Sequence, residues 1–141
     1  MARRHLVPDV VREPQAIALP PDAPARQAAR LMNERGVSSV LVMDQGRLLG
    51  IVTVRDIARR IVGEGRDADA TTMAEIMTAS PKCCACDESP QYALRLMHEG
   101  GFRHLPIEKD GRIVGVVVRS DFNPEEEEYL RFERSLWEHM R

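Results

Sequence analysis

The sequence predicts a mixed α/β (α+β) fold, with two repeats of the order β-α-β-β-α packed through their sheets about a pseudo-twofold axis and followed by a C-terminal helix. Three observations predict this architecture. Stretches of the chain recur at a constant offset of 65 residues. Each copy combines helical and strand periodicities. One copy alone is too small to cover both its sheet and its helices, whereas two packed copies cover each other.

The duplication is visible in two aligned stretches. AARLMNERG at 28–36 aligns with ALRLMHEGG at 93–101, and QGRLLGIVTVRDI at 45–57 aligns with DGRIVGVVVRSDF at 110–122. Between Asp22 and Asp56 about a third of the positions are identical to their counterparts without a gap, against about 6% for average compositions. The chain is therefore a tandem repeat.

Each repeat is predicted to begin with a short extended segment, at 16–19 or 82–86, and to continue into a helix. Apolar residues at helical spacing indicate the helix. They are Ala28, Leu31 and Met32 in the first copy, and Ala93, Leu94, Leu96 and Met97 in the second. Gly36 and Gly101 follow, and glycine commonly ends a helix because it adopts a left-handed conformation.

A hairpin is predicted after this helix in both copies. Its strands are rich in apolar and β-branched residues and span 39–43 and 48–54, or 104–107 and 113–118. The connecting turns contain Gly46 or Gly111, which suits a tight hairpin turn. In the first copy a second helix follows, with Ile57, Ile61 and Val62 marking its buried face.

The predicted segments are 1–65 (first repeat with an N-terminal segment), 66–77 (linker and short helix), 78–122 (second repeat) and 123–141 (C-terminal amphipathic helix). Thr72 and Glu75 have capping-box spacing. Asn123 and Pro124 begin the last helix. That helix carries an apolar stripe, which covers either its own domain or a dimer partner. The stripe comprises Tyr129, Phe132, Leu136 and Met140, with Leu130 and Trp137 beside it.

Composition excludes several classes of function. A net charge of −2 and 4% aromatic residues give no basis for nucleic-acid binding. No apolar run approaches the length of a membrane span, and the first residues do not resemble a secretory signal. Three clustered cysteines, Cys83, Cys84 and Cys86, make a poor disulfide framework, so we expect a cytoplasmic protein. No catalytic constellation is present, so no enzyme activity is expected.

The motifs resemble a pair of CBS domains, known as a Bateman module. The resemblance rests on GRLLGIVTVRD in the first copy, GGFRHLPIEKDGRIVGVVVRSD in the second and EIMT before it, and it covers about Val7 to Phe122. It implies a non-catalytic regulatory protein in signal transduction that needs no cofactor and binds an adenosine-containing ligand: AMP, ADP, ATP, NAD(H) or S-adenosylmethionine. It also implies a homodimer that signals to an unidentified downstream protein.

Thr53 and Asp56 are the first candidate ligand-binding residues, because a strand that runs into a helix places them at the helix N-terminus. Free N–H groups there favour an anion, and a carboxylate can accept hydrogen bonds from both ribose hydroxyls. Arg55 can meet phosphate oxygens, and Gly50 permits close approach of a ligand or another backbone segment. The same Thr-x-x-Asp spacing also fits a simple helix cap.

The resemblance implies that each ligand cleft is shared between the repeats. In the first cleft, Thr53, Arg55 and Asp56 would face a set from the other copy. That set comprises Thr78, Cys84, Phe102, Arg103, His104 and Leu105. Arg103 and His104 would supply charge near phosphates, or would simply be solvated residues that lead into a strand.

The second cleft departs from the family pattern. It would join Arg119, Ser120 and Asp121 to Ile17, Val37, Ser38 and Ser39. Val118 replaces the expected hydroxyl residue, and Arg119-Ser120 reverses the usual order. Asp121 remains able to hold a ribose, whereas phosphate contact is weakened. The sequence thus predicts two unequal clefts, of which the Thr53/Asp56 cleft binds nucleotide better.

Two other classes of function stay open. The three cysteines could form a thiol-based redox or metal sensor, but zinc needs a fourth ligand, from His98, His104 or a second chain. The cysteines could equally be small buried apolar residues, and no metal is expected. The second alternative is an interaction scaffold whose clefts hold no ligand.

Overall fold

The first repeat is a short sheet with helices at its connections. In the computed structural model, which describes Leu6, Val10 and residues 16–140, this repeat contains eight successive segments. They are β1 (Ala18–Leu19), α1 (Ala25–Arg35), β2 (Ser39–Asp44), β3 (Arg47–Thr53), α2 (Val54–Asp56), its π-helical continuation (Ile57–Val62), α3 (Met73–Ile76) and β4 (Thr78–Ala79). Strand β1 runs parallel to β2, while β2, β3 and β4 are antiparallel neighbours.

The second repeat follows the same order up to the end of its hairpin. Its segments are β5 (Cys84–Ala85), α4 (Pro90–Gly100), β6 (His104–Lys109), β7 (Arg112–Val118), a 3-10 turn (Arg119–Asp121) and α5 (Pro124–His139). Strand β5 is parallel to β6, and β6 is antiparallel to β7. The mixed α/β fold class is confirmed.

The two hairpins match in detail at the 65-residue offset. Gln45 and Gly46 have φ of 50° and 77°, and Asp110 and Gly111 have φ of 52° and 77°. Two consecutive positive φ values define a type I′ turn, whose twist suits a hairpin. Each hairpin also has a register shift at the same place, between Val42 and Met43 or between Ile107 and Glu108. The duplicated sequence therefore specifies the same local backbone twice.

Two separate hydrophobic cores lie under these sheets. One is built from α1, α3 and the first hairpin, with Met32, Val52 and Ile76 among its buried residues. The other is built from α4 and the second hairpin, and Leu6 from the N-terminal segment is fully buried within it. This contact was not predicted, although Leu6 and Val10 have the apolar i, i+4 spacing of a helix face.

The chain divides into two compact units that follow these cores. One unit is Ala16–Pro81, and the other includes Leu6, Val10 and residues 82–140. The predicted segment boundaries at 65, 77 and 122 stay a prediction.

Helix starts follow the predicted chemistry. Thr72 and Glu75 form a capping box at α3, and Asn123 and Glu126 form one at α5. Both long helices of the repeats end at a left-handed glycine, Gly36 or Gly101. The opening strands are shorter than predicted, because only two residues of each pair with a neighbour. The predicted buried face of the second helix is wrong at Val62, which is 74% exposed at the end of the π-helical segment, whereas Ile61 is buried. Among the described helices, none is long and apolar enough to cross a lipid bilayer.

Candidate functional site

Thr53 and Asp56 form a closed hydrogen-bonded pair where β3 passes into α2. The Thr53 backbone N–H donates to Asp56 Oδ2 at 2.8 Å, and the Thr53 hydroxyl lies 3.1 Å from the same oxygen. The Asp56 N–H donates back to Thr53 Oγ1 at 3.3 Å. This arrangement is a capping box, so the helix-cap interpretation is realised in the structure. The ligand role of the two residues stays a prediction.

Arg60 holds the other side of the Asp56 carboxylate. Its Nε lies 3.8 Å from Asp56 Oδ1, and the Asp56 side chain is only 14% exposed. The Arg60 guanidinium also donates to the carbonyls of Ile76 and Met77, at 2.7 and 3.0 Å. Sequence reasoning missed Arg60, although its position four residues after Asp56 on one helix face is the signal for such a pair.

Gly50 lies in β3 beside the end of α3 and β4. A Cβ atom there would meet Met77 Sδ at 2.5 Å and the Thr78 carbonyl oxygen at 2.9 Å. The close approach expected at Gly50 is therefore made by the Met77–Thr78 segment. Thr78 itself is exposed and pairs with Ile51.

Asp121 occupies the equivalent position in the second repeat and accepts the same backbone hydrogen bond. Its Oδ2 accepts the Val118 backbone N–H at 2.8 Å. Val118 has no hydroxyl to accept the return bond from Asp121. The chain makes only a 3-10 turn here before α5 begins, and Asp121 is exposed. The hydroxyl that completes the first capping box therefore has no counterpart at Val118, and the predicted inequality of the two clefts stays a prediction.

Within each repeat, the residues assigned to the two different clefts are neighbours. Ser39 pairs with Thr53, and the Ser38 carbonyl accepts the Val54 N–H at 3.1 Å. The Ile17 carbonyl accepts the Leu41 N–H at 2.8 Å. Ile17, Val37 and Ser38 are partly exposed, and Ser39 is buried. The end of the β2–β3 hairpin therefore presents Thr53 and Asp56 alongside the residues predicted for the second cleft.

The second repeat places cationic residues at the corresponding end of its hairpin. The Arg103 carbonyl accepts the Arg119 N–H at 3.0 Å, and His104 pairs with Val118. Both arginines and Ser120 are exposed, and Phe102 is partly buried against the core that contains Leu105. At the offset of 65 residues, Arg103 and Arg119 correspond to Ser38 and Val54. The first repeat thus carries the Thr53 hydroxyl, the half-buried Asp56 carboxylate and the exposed Arg55 at this end, and the second carries the two arginines and the exposed Asp121.

Cys84 has the chemistry of a buried thiol, and Cys83 is shifted in the same direction. Cys84 lies in β5 and is buried, and this burial, with the nearby Glu88 and Asp87 carboxylates, raises the pKa of its thiol to about 12. Burial and Glu108 also raise the pKa of Cys83. Thiolates are the reactive and metal-binding form, so both shifts oppose that use. Within the described residues, no three His, Cys, Asp or Glu side chains come together as a metal site.

Comparison with known proteins gives one consistent family. Residues 7–63 and 73–123 match the family model of the CBS domain. The chain is 34% identical over 108 residues to CBS domain-containing protein CBSCBSPB3 of Arabidopsis thaliana. That alignment covers 76% of this chain and 19% of the plant protein, so the chain spans about a fifth of that relative's length.

Two solved structures have the same fold. A protein with CBS domains from Burkholderia ambifaria MC40-6 superposes with a TM-score of 0.71 and 33% identity, covering 77% of this chain and 79% of the other. CBS domain protein PAE2072 from Pyrobaculum aerophilum, solved in complex with AMP, gives a TM-score of 0.76 and 23% identity, covering 87% and 95%. With two matches to the family model and relatives of the same type, this chain belongs to the CBS domain family.

Proposed function

We propose that this protein is a regulatory module that binds an adenosine-containing ligand and signals through a change of conformation. The observation that carries the proposal is the half-buried Asp56 carboxylate at the end of β3, fixed by Thr53 and Arg60. The CBS family and the AMP held by the Pyrobaculum fold neighbour support it. The ligand class is AMP, ADP, ATP, NAD(H) or S-adenosylmethionine.

The cap and a ligand can share the Asp56 carboxylate. A carboxylate has about four acceptor positions, and the contacts with Thr53 all go to Oδ2. Oδ1 is 3.8 Å from Arg60 Nε, beyond hydrogen-bond distance. It therefore keeps the capacity to accept ribose hydroxyls, while the cap holds its position before a ligand arrives. A preorganised acceptor loses little entropy on binding.

In the proposed first cleft, the two repeats supply different chemistry. Asp56 and Thr53 would hold the ribose, and the exposed Arg55 and Arg103, with His104, would attract phosphate. Thr78, Cys84, Phe102 and Leu105 would line the base side. Phosphate binding would offset the repulsion between arginines and favour one arrangement of the repeats, which is the population shift that a regulatory ligand requires.

Calorimetric titration of the full chain with the five ligand types tests this proposal. Asp56→Ala should weaken binding at least about tenfold, a loss of about 1.4 kcal/mol. Glu75→Ala is the matched control, because it removes the carboxylate of the other capping box in the same unit. It should cost similar stability and leave affinity unchanged. Equal affinities in the two variants would make Asp56 a cap without a ligand role.

The same titration distinguishes the alternatives. No heat with any adenosine ligand at millimolar concentration would overturn nucleotide sensing and favour the scaffold. A triple Cys→Ser variant at Cys83, Cys84 and Cys86 should still bind the ligand, because none of the three thiols is needed to hold ribose or phosphate. Loss of binding together with zinc uptake by the unmodified chain would favour the thiol-based sensor instead.

A further inference from the structure

Arg60 joins the Asp56 carboxylate to the end of α3. Its Nη1 atom donates to the carbonyl oxygens of Ile76 and Met77 at 2.7 and 3.0 Å. Its Nε atom lies 3.8 Å from Asp56 Oδ1. The last carbonyls of a helix have no partner within that helix, and an arginine side chain can hydrogen-bond them. One side chain therefore caps α3 and also faces the carboxylate.

The end of α3 gives Arg60 a firm support, because it is packed on the strand that carries the site. Met77 lies so close to Gly50 of β3 that a Cβ atom there would meet its sulfur at 2.5 Å. Thr78, the next residue, pairs with Ile51 of the same strand. The guanidinium of Arg60 is therefore tied, through these two contacts, to the strand that ends in the capping box.

The Asp56 carboxylate needs a second anchor to keep one direction. Its contacts with Thr53 are all made by Oδ2, and a carboxylate that is held by one oxygen can still swing the other. Arg60 attracts that other oxygen, Oδ1, and the Asp56 side chain is only 14% exposed. Salt screens this attraction less than it would at an open surface. The direction of Oδ1 therefore depends on Arg60.

The helical segment that carries Arg60 has an unusual geometry. Ile57–Val62 is π-helical, and the Gly63 N–H donates to the Ala58 carbonyl, five residues earlier, at 2.8 Å. Such wide turns are rare, and they appear frequently at functional sites. From this segment Arg60 reaches Asp56 and the end of α3 with the same side chain.

The second repeat cannot build the same tether. At the offset of 65 residues, Arg60 corresponds to Glu125, and Asp56 corresponds to Asp121. Glu125 carries the same sign of charge as Asp121, so these two side chains repel where Arg60 and Asp56 attract. Arg60 therefore belongs to the site whose carboxylate is half-buried, which indicates a role at that site and not in the common fold.

We propose that Arg60 is a positioning residue of the ligand site, which directs the Asp56 carboxylate towards the ribose hydroxyls by tethering it to the end of α3. The inference rests on the proposed function, because it assigns Arg60 a role toward the same ligand. An acceptor that is already held in one direction loses less entropy on binding. Removing the tether should therefore weaken binding, and Arg60 acts on the ligand only through Asp56.

Calorimetric titration of the full chain with AMP, ADP, ATP, NAD(H) and S-adenosylmethionine tests this role. Arg60→Gln should weaken binding about fivefold, because the carboxylate loses its second anchor. Arg59→Gln is the matched control, since Arg59 is exposed and the substitution removes the same charge one position away. It should leave the affinity within about twofold of that of the natural chain. Equal affinities in the two variants would overturn the positioning role.

A double-variant cycle shows whether Arg60 acts through Asp56. In the Asp56→Ala background the group that Arg60 positions is gone, so Arg60→Gln should change the affinity by less than about twofold. A loss of about fivefold in that background as well would show that Arg60 contacts the ligand itself or supports the fold as a whole, and would overturn the proposal. Urea midpoints of all variants check that the fold is kept.

The same measurements separate this inference from the proposed function. If the natural chain binds none of the five ligands, the proposed function fails and the positioning role fails with it. If the natural chain binds, and Asp56→Ala weakens binding while Arg60→Gln does not, only the positioning role fails. Weaker binding in both single variants, with no further loss in the double variant, supports both.

Discussion

At the scale of the residue, a single hydroxyl separates the two copies. Thr53 completes the capping box with Asp56, whereas Val118 leaves Asp121 with the backbone half of that arrangement. Thr53→Val should therefore lower the free energy of unfolding by about 1 kcal/mol, and Val118→Thr should raise it by about 0.5 kcal/mol or more. Urea unfolding curves measure both, and threonine and valine have similar size and strand preference, so the exchange isolates the cap.

The double variant, Thr53→Val with Val118→Thr, is the control for these two substitutions. If the cap is local, the double variant should show the sum of the two single effects, because each substitution acts on a different hairpin. Destabilisation by Val118→Thr would show that the second turn cannot accept the return bond from Asp121.

The Cys84 thiol should make stability depend on alkaline pH. Its pKa is about 12 in the folded chain, raised mainly by burial, and about 8.5 in an unfolded chain. Between these two pH values the folded state keeps the thiol proton and the unfolded state releases it. The contribution of the Cys84 thiol to the free energy of unfolding is therefore complete below about pH 8.5 and is lost as pH rises towards about 12.

Cys84→Ala isolates this effect. Between about pH 7.5 and about pH 10, the urea midpoint of the natural chain should fall more than that of the variant. In the folded protein at about pH 8, Cys84 should also resist iodoacetamide, with alkylation read by mass spectrometry. Rapid modification of Cys84 in the folded chain would instead support the thiol-sensor alternative.

At the scale of the element, close packing of backbone fixes the position of β4. Gly50 leaves room for Met77 and the Thr78 carbonyl. Gly50→Ala should lower the free energy of unfolding by about 1–3 kcal/mol, because the Thr78 carbonyl lies only 2.9 Å from the added methyl. Hydrogen exchange measured by mass spectrometry should show the greatest loss of protection in residues 73–79. Unchanged exchange there would mean that β4 moves aside at no cost.

At the scale of the whole molecule, Leu6 contributes to the core of the second repeat. Leu6 is fully buried in the core of the unit that contains residues 82–140. Leu6→Ala should cost about 2–5 kcal/mol, the usual range for a buried leucine. Hydrogen exchange should rise first in residues 82–140 and less in residues 16–81.

Met32→Ala is the matched variant for the other core, where Met32 is 5% exposed. It should produce the opposite pattern, with exchange rising first in residues 16–81. If either substitution accelerated exchange equally in both units, the two cores would unfold as one cooperative system.

Most of the local structure could be predicted because its causes are local. The hairpin turns follow from Gly46 and Gly111, and the start of α5 follows from Asn123, Pro124 and Glu126. The pairing of Thr53 and Asp56 could be predicted, because a threonine three residues before an aspartate at the end of a strand forms only a few local structures. Arg60 was not identified, since its second set of contacts is made with residues 16 and 17 positions away.

The sequence by itself determined the duplicated β-α-β-β order, the hairpin register and the helix caps. Each of these features depends on residues close together in the chain, and the 65-residue repeat encodes the β-α-β-β order and the hairpin register twice. Only the tertiary structure decided that Leu6 is buried with the second core, that Arg60 reaches the carbonyls of Ile76 and Met77, and that the apolar residues of α5 remain exposed. These three facts depend on contacts between residues far apart in the chain, for which the periodicity of an amphipathic segment gives the apolar face but not its partner.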